Sequence, residues 1–363
     1  MHGASDRGRG GGEEDEEEEE SQQQLLIPGL PDDLALRCLA RAARQDHSAL
    51  RSVCRRWCQI LTSEQLPALR RGLGVAEGWL YALSRDKSEC LSWHVLDPSK
   101  RKWMELPRLP EDLAGKFGLT CAVLGRELFV MGGCDKYEEP TAEVWRYDAL
   151  KNRWSGAPRM EVARCHFVSG SSSDRLYAIG GMGLVSGALT SWEIFDKEKN
   201  HWSLYNDPNI VSDLGESLVL DGRIYVRHAS PGIIPPFYAA VYDPQANAWD
   251  ALDNQMTRQW CGPAVAVGGD VYMLDQTLGI KLMVLNRATG EWNTVGRLSP
   301  HSIRTPCRIA AVGKNLYVVG RGLKTMVLNL EEAGKHRGLL VTSSIEGLRS
   351  VDDVVVSCNV IEL

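Results

Sequence analysis

The 363-residue chain has room for one large domain and a small one; its 44% hydrophobic and 24% charged residues are ordinary, while 35 Gly and 11 Trp favour strands and turns with aromatic anchors. Its net charge of −6 comes from the acidic residues 13–20, which carry −8 and leave the rest at +2, so no basic field exists for a nucleic acid. Ten cysteines without a CxxC pair, no signal-like N-terminus and no apolar run of about 20 residues exclude a membrane span and a disulfide scaffold, pointing to a soluble protein of the cytoplasm or nucleus with reduced thiols. In chain order, residues 1–24 combine Gly8–Gly12, the acidic block and Gln22–Gln24, a composition expected to form a disordered acidic tail.

Residues 25–66 carry helical periodicity. Pro31, Asp32 and Asp33 suit a helix start, and Leu36, Leu39 and Ala43 share a face. A second helix is expected from Asp46 or Ser48, with Leu50, Val53, Cys54, Trp57, Ile60 and Leu61 at offsets 0, 3, 4, 7, 10 and 11 and arginines opposite. About 40 residues bury too little apolar surface to stand alone, which implies a covering surface or partner. The string Leu30, Pro31, Leu34, Leu39, Leu50, Val53, Cys54 and Trp57 resembles an F-box. That resemblance implies docking through these eight residues to a Skp-type adaptor and, through it, to a cullin ubiquitin-ligase scaffold. A packing hairpin is the competing reading. Residues 67–78 are expected to be a linker.

From residue 79 onward the chain repeats. Five segments place Trp six residues after Asp or Asn: Asp97 to Trp103, Asp148 to Trp154, Asp196 to Trp202, Asp243 to Trp249 and Asn286 to Trp292. The tryptophans recur at intervals of 51, 48, 47 and 43, as expected of a fixed hairpin between variable loops. Asp or Asn can bond the turn backbone, and Trp then covers the adjoining sheet, a structural part of each blade. Ahead of each hairpin except the first, and once more beyond the last, lies another: 120–124 with 128–131, 167–169 with 176–179, 217–220 with 224–226, 264–267 with 271–274, and 309–312 with 316–319. Four strands per repeat, A to D from the inside outward, describe a β-propeller blade. The first unit starts directly with strand B at 79–83, whereas the last supplies A, B, C (324–328) and D (338–343) and then a surplus strand at 354–361. Giving that strand to the first blade predicts a six-bladed ring over 79–363 with no exposed edge. Gly132-Gly133, Gly180-Gly181, the Tyr-Asp pairs and the tryptophans resemble the kelch repeat, although the diglycine survives in only two blades. Together the two resemblances imply an F-box/kelch-repeat protein of plant type.

Function is sought in what repeats near strand A. Lys116, Arg164, Arg258 and Arg304 precede inner strands and share a rim with the B-to-C loops 134–141, 182–190 and 229–237. The resemblance implies that this rim recruits a protein target, where guanidinium groups suit carboxylates or phosphates; basic residues packing on their own loops are the alternative. Cys121, Cys165, Cys261, Cys307 and Cys358 fall on or before inner strands, either as small core residues or as a thiol cluster near the channel. The eight histidines form no HxH or HExxH, so no catalytic residue, metal or cofactor is expected. The expected role is that of a non-catalytic substrate receptor of a cullin-based ubiquitin ligase, against a kelch scaffold and, more remotely, a propeller enzyme.

Overall fold

In a computed structural model, the structure describes residues 25–183, 190–207, 214–228, 239–251, 255–333, 340 and 342–363. The expected acidic tail lies outside these residues. The chain divides into two units, residues 1–77 with Leu363, and residues 78–362.

The first unit is helical: α1 (Asp32–Arg41), a 3-10 turn (Arg44–Asp46), α2 (His47–Arg51), α3 (Arg55–Leu61) and α4 (Gln65–Gly72). Asp32 and Asp33 occupy the first turn of α1, where the helix dipole favours acids. The second predicted helix is broken at 52–54. The Ser52 hydroxyl donates to Ala49 O (2.6 Å), and extended Cys54 caps α3 by accepting the Trp57 N–H on its sulfur, so Val53 and Cys54 stand on a turn. The expected linker 67–78 contains most of α4. Its Arg70 is fully buried and donates to Ala40 O, Ala42 O, Val75 O and the Glu77 carboxylate. A guanidinium therefore satisfies the carbonyls that α1 leaves open at its C-terminus. Polar composition hid this helix, because its anchor to α1 is a charged side chain.

The second unit consists of six four-stranded antiparallel sheets among the described residues. Blade one joins β1 (Gly78–Arg85), β2 (Leu91–Asp97) and β3 (Lys102–Glu105) to the last strand of the chain, while blade two holds β4 (Thr120–Leu124), β5 (Glu127–Met131), β6 (Val144–Asp148) and β7 (Arg153–Ala157). Blade three is β8 (Val168–Ser172), β9 (Arg175–Ile179), β10 (Ser191–Asp196) and β11 (His201–Asn206); blade four is β12 (Leu214–Leu220), β13 (Arg223–His228), β14 (Ala239–Asp243) and β15 (Ala248–Ala251). Blade five is β16 (Ala264–Val267), β17 (Asp270–Asp275), β18 (Ile280–Asn286) and β19 (Glu291–Leu298), and blade six is β20 (Arg308–Val312), β21 (Asn315–Val319), β22 (Thr325–Asn329) and β23 (Ser343–Ile345). The D strand of blade six lies later than the expected 338–343, part of which is outside the described residues. The surplus strand β24 (Val354–Glu362) pairs antiparallel with β1, from Gly78 opposite Glu362 to Arg85 opposite Val354, and closes the ring as expected.

The core lies between blades. Phe129 and Met131 of blade two pack with Leu176, Phe195 and Trp202 of blade three, and Leu80 and Leu96 of blade one pack with Tyr317, Val319 and Ile345 of blade six. Each sheet thus buries its faces only against its neighbours. The C-to-D hairpins of blades one to five use the same turn. Oδ1 of Asp97, Asp148, Asp196, Asp243 and Asn286 accepts backbone N–H groups of the following turn. The residue four positions on is left-handed in all five: Arg101, Asn152, Asn200, Asn247 and Gly290.

The indoles then reach across. Trp154, Trp202 and Trp292 donate Nε1–H to Pro107 O, Pro158 O and Met256 O, each on the connector entering the Trp's own blade, at 3.0, 2.9 and 2.9 Å. Trp103 donates to Thr325 Oγ1 in blade six. Trp249 instead packs on Tyr242 and Trp192; its indole N–H has no acceptor among the described residues, and the connector ahead of its blade, 208–213, lies outside them.

Closure yields a stability test. In β24, Val355 and Ile361 are buried, each contributing about 1.5–3 kcal/mol against a domain stability of about 5–15 kcal/mol. A chain ending at Asp353 is expected to lose its cooperative thermal transition, followed by the near-UV circular dichroism of its tryptophans. Melting like that of the intact chain would disprove closure by this strand.

Candidate functional site

Each unit presents a surface of its own. On the helical unit, Asp32 accepts the Leu26 N–H (2.7 Å) and pairs with Arg56 (2.9 Å), while Trp57 donates its indole N–H to Leu26 O (2.8 Å). The Leu26 hydrogen bond, aided by Arg56, holds the Asp32 carboxyl below its usual range. These bonds fix the segment that leads into α1. His47 is buried beside Arg70; burial and then that charge pull its imidazole down to about 4, so it is neutral at neutral pH.

The eight residues of the expected adaptor face separate into two sets. Leu39 is buried in the unit's own core, Trp57 is half-buried on Leu26, and Leu30 and Leu50 are half-buried. Pro31, Leu34, Val53 and Cys54 are exposed, Leu34 at 43% and Val53 at 60%. Leu25, at 45%, adds an apolar residue that the sequence reading did not select.

In the propeller, the six inner strands enclose a cavity of about 630 Å³, lined by Thr120, Ser169, Glu216, Arg308 and Ser357 among others. Arg308 Nη1 meets Glu216 Oε1 at 3.1 Å, joining blades six and four, while its Nε donates to Val356 O in blade one. Sequence reading missed this pair, since neither residue lies in a motif. Cys121 and Cys358 line the cavity, where burial pushes both thiols up to about 12, and burial does the same to Cys307. Such thiols stay protonated at neutral pH and are poor nucleophiles.

At the rim, Arg258 on α6 (Gln255–Gln259), the next α-helix among the described residues after α5 (Glu111–Ala114), and Arg304 are exposed, and Lys116 is half-buried. Arg304 borders a depression of about 500 Å³ with Pro300, Arg321, Val351 and Asp352. Arg164 does not belong to this surface. It is fully buried, donating to Gly180 O, Ser191 O, Ser191 Oγ and, at 2.7 Å, to Glu193 Oε1, itself fully buried. The Glu193 carboxylate also accepts the N–H groups of Glu161 and Val162. The pair ties the connector entering blade three to β10, the C strand of that blade. A signal existed in the sequence: Glu193 sits inside the apolar stretch Trp192–Phe195, where a buried charge needs a partner. Of the B-to-C loops expected to recruit, 134–141 is described and exposes Tyr137, whereas most of 182–190 and all of 229–237 lie outside the described residues.

Comparison with known proteins addresses both units. A family model described as F-box domain matches residues 27–68, and one described as Kelch motif matches 116–161 and 163–209. The chain is similar to the F-box/kelch-repeat protein SKIP4 of Arabidopsis thaliana, 38% identical over 338 residues that span 92% of this chain and 93% of that protein. Another F-box/kelch-repeat protein of that plant is 31% identical over 84% of this chain and 79% of its own length, and the F-box protein AFR is 27% identical over 82% of each.

Removing one half of the buried ion pair strands the other charge, so Arg164→Met is expected to cost about 3–5 kcal/mol in urea denaturation. Arg164→Met with Glu193→Leu should recover much of that loss. A double variant no more stable than the single one would show the two residues to be uncoupled.

Proposed function

The chain belongs to the F-box/kelch-repeat family, and on that footing we propose that it is the substrate-recognition subunit of a cullin-based ubiquitin ligase. Its helical unit docks a Skp-type adaptor and, through it, the cullin, and its propeller recruits a protein target in the cytoplasm or nucleus. The chain itself makes and breaks no bond; it supplies proximity and orientation to the conjugating machinery.

The observation that carries this reading is the exposure of Leu34 and Val53, with Pro31 and Cys54, on a unit whose own core is already filled by Leu39, Leu61, Leu66 and Arg70. A unit this small that leaves large apolar side chains in water calls for a covering partner. No helix among the described residues is long and apolar enough to cross a membrane. On the propeller, Lys116, Arg258 and Arg304 offer cations around the rim, which suits a target presenting carboxylates or phosphates.

Two measurements separate the halves of the proposal. Leu34→Asp with Val53→Asp, both at exposed positions, is expected to weaken capture of a Skp-type adaptor at least about a hundredfold, since each charge desolvated in an apolar interface costs several kcal/mol. Retained capture in a pull-down would refute the docking face. Charge reversal of Lys116, Arg258 and Arg304 should reduce the set of proteins labelled by proximity biotinylation under proteasome blockade while leaving adaptor capture intact; an unchanged set would rule out this rim.

A further inference from the structure

Beside the mouth of the channel, the Sγ atoms of Cys134 and Cys165 and a ring nitrogen of His166 all lie within 4.8 Å of one another. Two blades deliver them. Cys134 follows the diglycine that ends the B strand of blade two, and Cys165 and His166 lie on the connector entering blade three. Gly133 donates its N–H to Arg164 O at 3.0 Å, and a Cβ on Gly132 would sit 2.4 Å from that same oxygen. The connector can therefore press directly against the diglycine, which brings Cys165 to Cys134.

Comparison of the two blades shows what holds these three residues in place. In blade two, Phe117 and Cys134 exchange both backbone hydrogen bonds; in blade three, Cys165 and Met182 do the same. Cys165 thus replaces Phe117 in the repeat, His166 replaces Gly118, and Cys134 stands where blade three has Met182. Gly118 adopts φ +59°, the left-handed conformation natural to glycine, and His166 adopts φ +50° despite its side chain. The His166 N–H donates to Gly118 O (2.7 Å), and a Cβ on Gly118 would lie 2.7 Å from His166 Cδ2 and 2.8 Å from Nε2, so the imidazole rests where only glycine leaves room. Three potential metal ligands, two thiols and an imidazole, thus converge on one point.

We propose that Cys134, Cys165 and His166 form a zinc site on the rim of the propeller. Two thiolates and one imidazole suit Zn²⁺ rather than Mg²⁺ or Ca²⁺, which require oxygen donors, and three protein ligands leave the fourth tetrahedral position open. The thiols are buried and His166 is exposed, which leaves that position to solvent or to a side chain of a bound protein. Binding releases the two thiol protons to solvent and ties the B-to-C loop of blade two to the connector of blade three. The site stands independently of the ligase reading.

The test uses the full chain, purified under reducing, metal-free conditions and titrated with Co²⁺ as a spectroscopic probe for Zn²⁺. Expected is one equivalent of Co²⁺ with thiolate-to-cobalt charge-transfer and tetrahedral ligand-field bands, displaced by Zn²⁺. Cys134→Ser with Cys165→Ser should abolish the bands, and Cys38→Ser with Cys90→Ser, at exposed thiols elsewhere, should leave them intact. His166→Ala, at an exposed position where folding is preserved, should weaken Co²⁺ binding roughly tenfold or more. Absence of the thiolate bands in the parent chain, their persistence in the Cys134/Cys165 variant, unchanged affinity in His166→Ala, or a Cys134–Cys165 disulfide in protein handled without oxygen would each overturn the proposal.

Discussion

The ladder between β24 and β1 is the constraint on which the propeller rests. Blade one is encoded in two pieces at opposite ends of the domain, and Trp79 opposite Ile361 joins residues almost a full domain apart in sequence. Without that ladder, β1 and β20 would each present an unpaired or uncovered surface, and the interface formed by Leu80, Leu96, Tyr317 and Val319 would lose Val355 from its centre. Every other interface in the ring is made between neighbours in sequence. This one alone requires the chain to return.

Elsewhere the blades are held by a device repeated with small variations. An Asp or Asn side chain organises the outer turn, a left-handed residue completes it, and an indole reaches the backbone of the entering connector. The spacing of six residues follows from this geometry, since the four-residue turn sets Trp opposite the residue before the Asp or Asn, as Leu96 opposite Trp103 and Tyr147 opposite Trp154. Where the acceptor lies on the connector, as for Trp154, Trp202 and Trp292, the hairpin contributes to the order between blades as well as to its own fold.

How much of this was legible depended on whether it repeats. Blade number, closure, strand order and the Asp-to-Trp hairpins were readable because five copies expose what is invariant and the strand surplus at one end matched the deficit at the other. Single events were not. The break between α2 and α3 depends on Ser52 and Cys54 bonding locally, and α4 is tied to the end of α1 by a buried guanidinium, neither of which alters apolar periodicity. Arg164 looked like its exposed counterpart Arg304 because sequence position before strand A does not report direction; the difference is Glu193, present in only one blade. The exposed residues of the helical unit were selected together with Leu39, because a periodic apolar face does not distinguish the side chains that fill a unit's own core from those left for another protein.

Closure by the last strand also has a consequence for synthesis. The ribosome releases blades two to six in order, each able to pack on its predecessor, but blade one stays three-stranded until residues 354–362 have emerged. A premature stop anywhere in the propeller therefore leaves β1 with an open inner edge. Ring closure thus waits on one late segment: a molecule whose helices have formed early completes its six-bladed ring only once residues 354–362 have emerged.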